Sequence, residues 1–481
     1  MNRRERDFAL LVTSAAAIAG VLVMLRHEWW RDEANTWLVV RTSRSMGELV
    51  KTIGFNGHPK AYYLLCWVLS RIFSSPLSLA TVNLACAIAA IFLFVRYSPF
   101  SRLERALFAF GFFPLYQYGI IVRSYAAFVL LLFAYAALRL RAPERRATRF
   151  LVLAALAEVH LMATLAAAVL FLLDVATTTP RTWKKTEWGS AALVALSGAA
   201  VVWQLEPRDR HYQSMTFSPA IRRAIAGGFL PVFSRYEPNL WERNVGTALF
   251  VAAAVIAVRH RAARAPFLFL TATMLVFNRF VYPGYRWHDG FYFLYFVVAL
   301  WLGGVVLTGA SRAFVTALFA LHAAIGIDVL ARDFREPYSN GAAVASAIRA
   351  CKLEHLAIVG VRGSRRAFSW DIDEIQPVLL ELNPGLAYDP QARSLEPFWR
   401  HYDDPNYFPT LPMSRLVPAL RQIEKELGSP FLVVEVLSKP DGRPALPPLL
   451  KPIFEAPPSM DFGEHLALFS FGSEASSTAC R

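Results

Sequence analysis

The sharpest chemical feature of the sequence is a pair of adjacent carboxylates, Asp32 and Glu33, in the segment Trp29-Trp30-Arg31-Asp32-Glu33-Ala34. A carboxylate placed against a bound hydroxyl works as a general base. The same two residues would also serve as the acidic start of a helix, where they satisfy free backbone N–H groups. Four further segments carry cationic or aromatic side chains. Gly57-His58-Pro59-Lys60-Ala61-Tyr62-Tyr63 opens an apolar run, and Arg123-Ser124-Tyr125 separates two others. His160 interrupts a long apolar run, and Tyr285-Arg286-Trp287-His288-Asp289-Gly290 precedes another. Each has an ordinary structural reading: a Gly/Pro turn, snorkelling of Lys60 and Arg123, a packed His160, an Arg286–Asp289 link. Taken together they offer a different chemistry. Asp32, with Glu33 beside it, could take the proton from an attacking hydroxyl. His58, Lys60, Arg123, His160, Arg286 and His288, with Tyr125 and Asp289 among them, could hold a departing phosphate. One carboxylate base plus several cations is what displacement of a phosphate from a sugar carbon requires.

The elements that must position these groups are set by hydropathy. Of 481 residues 55% are hydrophobic and 18% charged, and the mean hydropathy is +0.36. A water-soluble domain keeps about a quarter of its residues charged. Residues 1–330 hold 34 Lys and Arg against 17 Asp and Glu, whereas 331–481 hold 16 against 19. A basic, apolar front and a balanced tail read as a membrane protein with one soluble domain, and disfavour a nucleic-acid binder. Apolar runs begin at Phe8–Leu25 and continue near 58–74, 77–95, 104–119, 121–139, 148–178, 188–204, 242–258, 265–281, 289–308 and 312–330. The first follows Arg3, Arg4 and Arg6 and has no small-residue cleavage site after it, so it reads as an uncleaved anchor.

Short loops rich in Lys and Arg stay cytoplasmic. Four such clusters lie around Arg102, Arg145, Lys184 and Arg261. Placing all four inside makes 58–74 a helix lying in the outer leaflet and makes 148–178 two short helices meeting near Glu158 and His160. The result is about 11 crossings with a cytoplasmic N-terminus and an extracytoplasmic tail. The site candidates then share one membrane face. The first outer loop, 26–57, contains Ser45-Met46-Gly47-Glu48, a capping box, and reads as two amphipathic helices on the membrane surface. The 205–241 loop, with Phe217, Arg222 and Arg223, could cover a lipid. The tail, 331–481, alternates strand-like runs (HLAIVG, FLVVEVL, HLALFSF) with the helical stretches 341–351 and 413–427 and reads as an α/β domain. Cys351 and Cys480 both fall in it, where a disulfide is permitted. No Cys-x-x-Cys, glycine-rich phosphate loop, Gly-x-Ser-x-Gly or His-Glu-x-x-His occurs, so nucleotide hydrolysis and common hydrolase sites have no support.

RDEANTW, GHPKAYYLL and RSYAAF resemble, in order, the acidic pair of the first outer loop, the histidine-proline element and the Arg-x-Tyr junction of the GT-C superfamily of integral-membrane glycosyltransferases. The resemblance is closest to the branch with protein O-mannosyltransferases and the lipid A aminoarabinose transferase, and covers roughly residues 1–180. It implies a polytopic helical fold, a polyprenyl-phosphate sugar as donor, Asp32 as base with Glu33 alongside, and a basic residue such as His160 near the donor phosphate. It further implies a bacterial inner-membrane enzyme that inverts the sugar carbon in a single displacement. Lys60 stands where many relatives have a second proline, and Arg123 where they often have a carboxylate. No metal or cofactor is expected, although Asp32, Glu33 and His58 have ligand chemistry. The acceptor, a glycan, lipid or protein, is not named by the sequence. Two other functions fit a membrane chain of this kind. A flippase for a lipid-linked saccharide would need charge or polarity along a path through the membrane, and Glu158, Asp174 and Asp328 are the only acidic residues well inside the apolar runs. A non-catalytic envelope-assembly protein could share the scaffold.

Overall fold

The computed structural model describes residues 3–55, 58–204, 218–232, 238–282, 284–363, 366–383, 385–390, 392–398, 410–436, 449–460 and 465–472. The chain forms two compact units. The first comprises Met1–Leu25, Asn56–Leu65 and Ser75–Ala331; the second comprises Arg26–Phe55, Cys66–Ser74 and Arg332–Arg481. The sequence reading divides the chain at 330/331 and counts loop 26–57 with the membrane part. In the structure residues 26–55 are grouped with the tail.

The first unit is helical. Among the described residues four helices are long and apolar enough to cross a membrane: Arg3–Met24, Leu77–Tyr97, Leu240–Arg259 and Gly309–Asp333. Membrane-spanning character is therefore built into this unit. Residues 148–178 form two short helices, Arg146–Ala157 and Leu161–Ala176, that meet at Glu158–His160. Their ends away from that junction are pinned by charge: buried Asp174 pairs with Arg149 at 3.1 Å and with Arg139 at 3.0 Å. Asp174 is thus a structural counter-ion. Glu5 similarly ties the first helix to Arg105 at 2.9 Å.

The run 104–119 is not one helix. It divides into the helix Arg102–Ala109 and a wide π-type turn, Phe112–Gln117. Gly111, Pro114 and Gly119 fall in this stretch, and a Cβ on Gly119 would lie 2.2 Å from the Leu115 carbonyl. Mean hydropathy is blind to such breaks, because Gly and Pro interrupt the hydrogen-bond ladder without lowering apolarity. Asn83, inside the apolar helix Leu77–Tyr97, compensates. Its amide donates to the carbonyls of Tyr118, Gly119 and Ile121 at 3.0–3.2 Å, satisfying backbone that no helix pairs. The next helix, Tyr125–Arg141, starts directly after Arg123 and Ser124.

The second unit holds an eight-stranded mixed sheet: β1 (Ile358–Gly363), β2 (Ala367–Trp370), β3 (Ala387–Asp389), β4 (Ser394–Glu396), β5 (Leu411–Pro412), β6 (Phe431–Val436), β7 (Lys451–Glu455) and β8 (Leu466–Phe471). The order is β4-β3-β1-β6-β8-β7, with β2 paired to β1 and β5. β1 runs parallel to β3 and β6, while β8 is antiparallel to β6. Each of the three strand-like runs of the tail contains a strand, Ile358–Gly363, Phe431–Val436 and Leu466–Phe471. The helix Leu416–Leu427 lays Leu416, Leu420 and Ile423 on the sheet beside Val359, Val433 and Phe469 and ends at Gly428 with φ +65°, the left-handed helix stop that favours glycine. Cys351 is disulfide-bonded; Cys66 and Cys86 remain thiols, and Cys480 lies outside the described residues.

Within residues 26–55 the helices Arg31–Thr42 and Met46–Thr52 form as expected, the second capped by Ser45, whose hydroxyl accepts from the Glu48 N–H at 3.1 Å. Their setting differs from the sequence reading. Every residue from Glu33 to Val40 is buried, so the first helix is not an amphipathic ribbon lying on a surface. It packs against the helix Gln376–Glu381, where Asn35 donates to Gln376 at 3.3 Å.

Candidate functional site

In the first unit, three histidines and a tyrosine converge where three elements begin. His58 precedes the helix Lys60–Ile72, His160 caps the helix Leu161–Ala176, and His288 lies in the first turn of the helix Arg286–Leu302. The ring of His160 is 5.1 Å from that of His58, 5.3 Å from that of Tyr125 and 5.8 Å from that of His288. Tyr125 and His288 share a hydrogen bond of 3.0 Å between Oη and Nε2. Arg123 lies within electrostatic reach of both His160 and His288.

Two backbone N–H groups decide where the imidazole protons sit. The Met162 N–H donates to His160 Nδ1 at 3.1 Å, and the Tyr285 N–H donates to His288 Nδ1 at 3.0 Å. Each neutral ring must therefore carry its proton on Nε2. His288 spends that proton on the Tyr125 oxygen. His160 does not: its Nε2 is buried and has no hydrogen-bond partner. A buried N–H donor is left facing the other rings of the cluster with no acceptor.

The first turn of the helix Arg286–Leu302 also borders a narrow cleft. Arg223, Gly227, Gln117, Arg286 and Asp289 line it, with Phe112, Phe113, Leu230 and other apolar groups as walls. The helix Ser218–Phe229 can come this close because it has no side chains at the crossing. A Cβ on Gly227 would sit 2.5 Å from Asp289 Oδ2, and one on Gly228 2.4 Å from the Asp289 carbonyl. Gly290 has the same necessity, since its Cβ would lie 2.3 Å from Phe113 and 2.4 Å from the Tyr118 hydroxyl. Arg223 donates to the Gly284 carbonyl at 2.6 Å. Two guanidiniums and a buried carboxylate inside apolar walls can hold an anion together with a hydroxyl group.

The second unit holds the acidic pair, and its two members differ. Glu33 is completely buried; its Oε2 accepts from the Trp30 N–H at 2.9 Å and from His27 Nε2 at 3.1 Å. His27 Nδ1 donates to Asp333 at 2.8 Å. Burial alone would strip the proton from His27, but the carboxylates of Asp333 and Glu33 outweigh it and raise the imidazole to about 10. His27 is a buried cation bridging two carboxylates, and Glu33 is a helix cap within that bridge. Asp32 remains 21% exposed, 3.6 Å from the Arg31 guanidinium. Arg31 is itself gripped by Asp373 at 3.2 Å and Glu374 at 2.5 Å, and Arg362 holds Asp371 and Glu374. Burial pushes both Asp373 and Glu374 up from the ordinary carboxylate range, against the pull of Arg31. Glu28 is likewise pushed up to about 7 by burial and by Glu381. Of the two sequence-marked carboxylates, Asp32 alone has an accessible side chain and a fixed neighbour.

His58, Arg123, Tyr125, His160 and His288 thus come together, with Arg286 and Asp289 on the adjacent cleft. Lys60 starts its helix two residues after His58, with its backbone N–H on Gln204 at 3.0 Å and its side chain half-buried. Of the covering loop, Phe217 lies outside the described residues; Arg222 pairs with Asn244, and Arg223 reaches the cleft. Sequence reasoning passed over His27, Asn83 and Asn278, and gave Gly227 and Gly290 no packing role. Asn83 and Asn278 were findable as single amides within apolar runs, and the glycine pair as a gap in one. The Arg31 partners Asp373 and Glu374 lie more than 300 positions away and leave no local signal.

Compared with family models, curated proteins and solved structures, the chain matches none.

Proposed function

We propose that this protein is a glycosyltransferase that moves a sugar from a polyprenyl-phosphate donor to an acceptor hydroxyl at the outer face of a bacterial inner membrane. The observation that carries the reading is the buried His160 Nε2–H, an unmet donor in a cluster with Arg123, His58, Tyr125 and His288. A phosphate oxygen is an acceptor only, and it is the kind of group such a cluster would complete. Arg286 and Arg223, with Asp289, extend the polar surface toward the sugar or the lipid phosphate. On this reading Asp32 acts as the base. Arg31, pinned by Asp373 and Glu374, keeps that carboxylate oriented, while Glu33 holds the helix start.

In the reaction, the acceptor O–H proton passes to the Asp32 carboxylate as the acceptor oxygen bonds to the sugar carbon. The carbon–oxygen bond to phosphate breaks with inversion, and polyprenyl phosphate leaves. Positioned cations lower the barrier because they meet charge that is larger in the transition state than in the bound donor. The helical count of about 11 crossings, the cytoplasmic N-terminus, the outer tail and the GT-C-like fold belong to the same proposal. No metal or cofactor enters it.

Purified protein in liposomes, supplied with a panel of polyprenyl-phosphate sugars and cell-envelope acceptor, should release free polyprenyl phosphate from one donor. His160→Phe, which keeps the ring and removes the donor, should slow release by about 10²-fold. Movement of labelled lipid between leaflets without release would instead make the protein a flippase. Neither release nor movement would leave the assembly role.

A further inference from the structure

We infer that Asn278 is a ligand-contacting residue whose side-chain amide receives a sugar hydroxyl beside His288; this rests on the donor-binding reading above. Asn278 lies near the end of the helix Arg261–Phe280, on the face that buries Phe267, Leu270, Met274 and Phe277. It is 5% exposed, and both its Oδ1 and Nδ2 are buried with no hydrogen bond. Its surroundings are polar but spoken for. The chain turns at Gly284, with φ +76°, and the place of a Cβ there is 3.6 Å from Asn278 Nδ2 and 3.8 Å from His288 Nδ1. His288 Nδ1 already accepts from Tyr285, its Nε2 is bonded to Tyr125, and the Gly284 carbonyl accepts from Arg223.

A buried amide with both ends unmet costs stability, and an apolar side chain of similar size would remove the cost. What the amide offers is a donor and an acceptor side by side. A phosphate can use only the donor, whereas a hydroxyl gives a proton to one atom and accepts from the other. The ligand chemistry that satisfies Asn278 is therefore the sugar part of the donor, next to a phosphate held by the histidine and arginine groups. Sites built to bond a hydroxyl discriminate steeply against ligands that lack it.

The test compares full-length wild type, Asn278→Leu and Asn278→Ala in detergent. Thermal unfolding is followed with polyprenyl phosphate alone and with each polyprenyl-phosphate sugar, and apparent Kd values are taken from the shifts. Asn278→Leu should unfold no lower than wild type and bind polyprenyl phosphate within about twofold, yet lose about tenfold or more in affinity for the sugar-bearing lipid. If Asn278→Leu does not fold, Asn278→Ala is read against the same values. Unchanged affinity for both lipids in the variants would mean that water fills the gap, and would overturn the proposal. Equal loss for both lipids would make the residue structural and also overturn it. A wild type that binds neither lipid overturns the donor reading itself, a result distinct from the others because it appears before any substitution is made.

Discussion

Among the described residues, His160 Nε2 and the Asn278 amide belong to the buried polar groups of the first unit that have no hydrogen-bond partner, whereas folded proteins satisfy most such groups. In the second unit the neighbouring carboxylates differ: Glu33 is buried on His27, while Asp32 is partly exposed beside Arg31. Glu33→Ala should leave the His27 cation in a buried site with one counter-ion, at a cost of about 3–5 kcal/mol visible as a lower unfolding temperature. Asp32→Asn should leave the unfolding temperature near that of wild type. His27 makes a pH prediction. Its folded value is raised to about 10 from an ordinary 6.5, so its stabilisation is fully present below pH 6.5 and is lost as pH rises through 10. The stability difference between wild type and His27→Gln, measured by denaturation from pH 6 to 10, should shrink across that window; a difference that grows would contradict the bridge. Residue types alone marked Asp32, Arg123, His160 and His288, because charged groups beside apolar runs are rare. They could not divide the labour within the acidic pair, since Asp333, the second carboxylate on His27, and Asp373 and Glu374, the partners of Arg31, are distant in sequence.

Among the elements, the most consequential is the broken stretch 111–124, which delivers Arg123 and Tyr125 to the histidine cluster. Asn83 holds three of its carbonyls. Asn83→Leu should free them at a cost of about 1–3 kcal/mol and weaken donor binding, measured as reduced stabilisation by polyprenyl phosphate. The contact of Gly227 and Gly228 with Asp289 gives a sharper test. Gly227→Val would push the Asp289 carboxylate away and should reduce activity far more than Gly189→Val, which has nothing within 4 Å of its Cβ. Apolar runs located these elements only in part. The paired helices at 146–157 and 161–176 followed from a run too long for one helix and too basic at its flanks. The 104–119 break did not, because a π-type turn is as apolar as a helix. The Ser45 cap was visible as a local motif, while the burial of the Arg31–Thr42 helix depended on a partner helix at 376–381.

For the whole molecule, the division into an apolar helical unit and a unit built on a mixed sheet was legible in the charge contrast at residue 330. The grouping of residues 26–55 with the tail was not, because Arg31 and Asn35 find their partners at Asp373, Glu374 and Gln376. The proposed sidedness has its own check in a Cys66→Ala, Cys86→Ala background. A cysteine replacing Glu354 should react with an impermeant thiol reagent on spheroplasts, and one replacing Arg141 should react only after lysis. The proposed transferase reaction is most directly tested by comparing Asp32→Asn with wild type for release of polyprenyl phosphate from polyprenyl-phosphate sugars. With folding and lipid binding intact, the expected result is a fall of about 10²–10⁴-fold in the variant. Release at the wild-type rate would contradict Asp32 as the base.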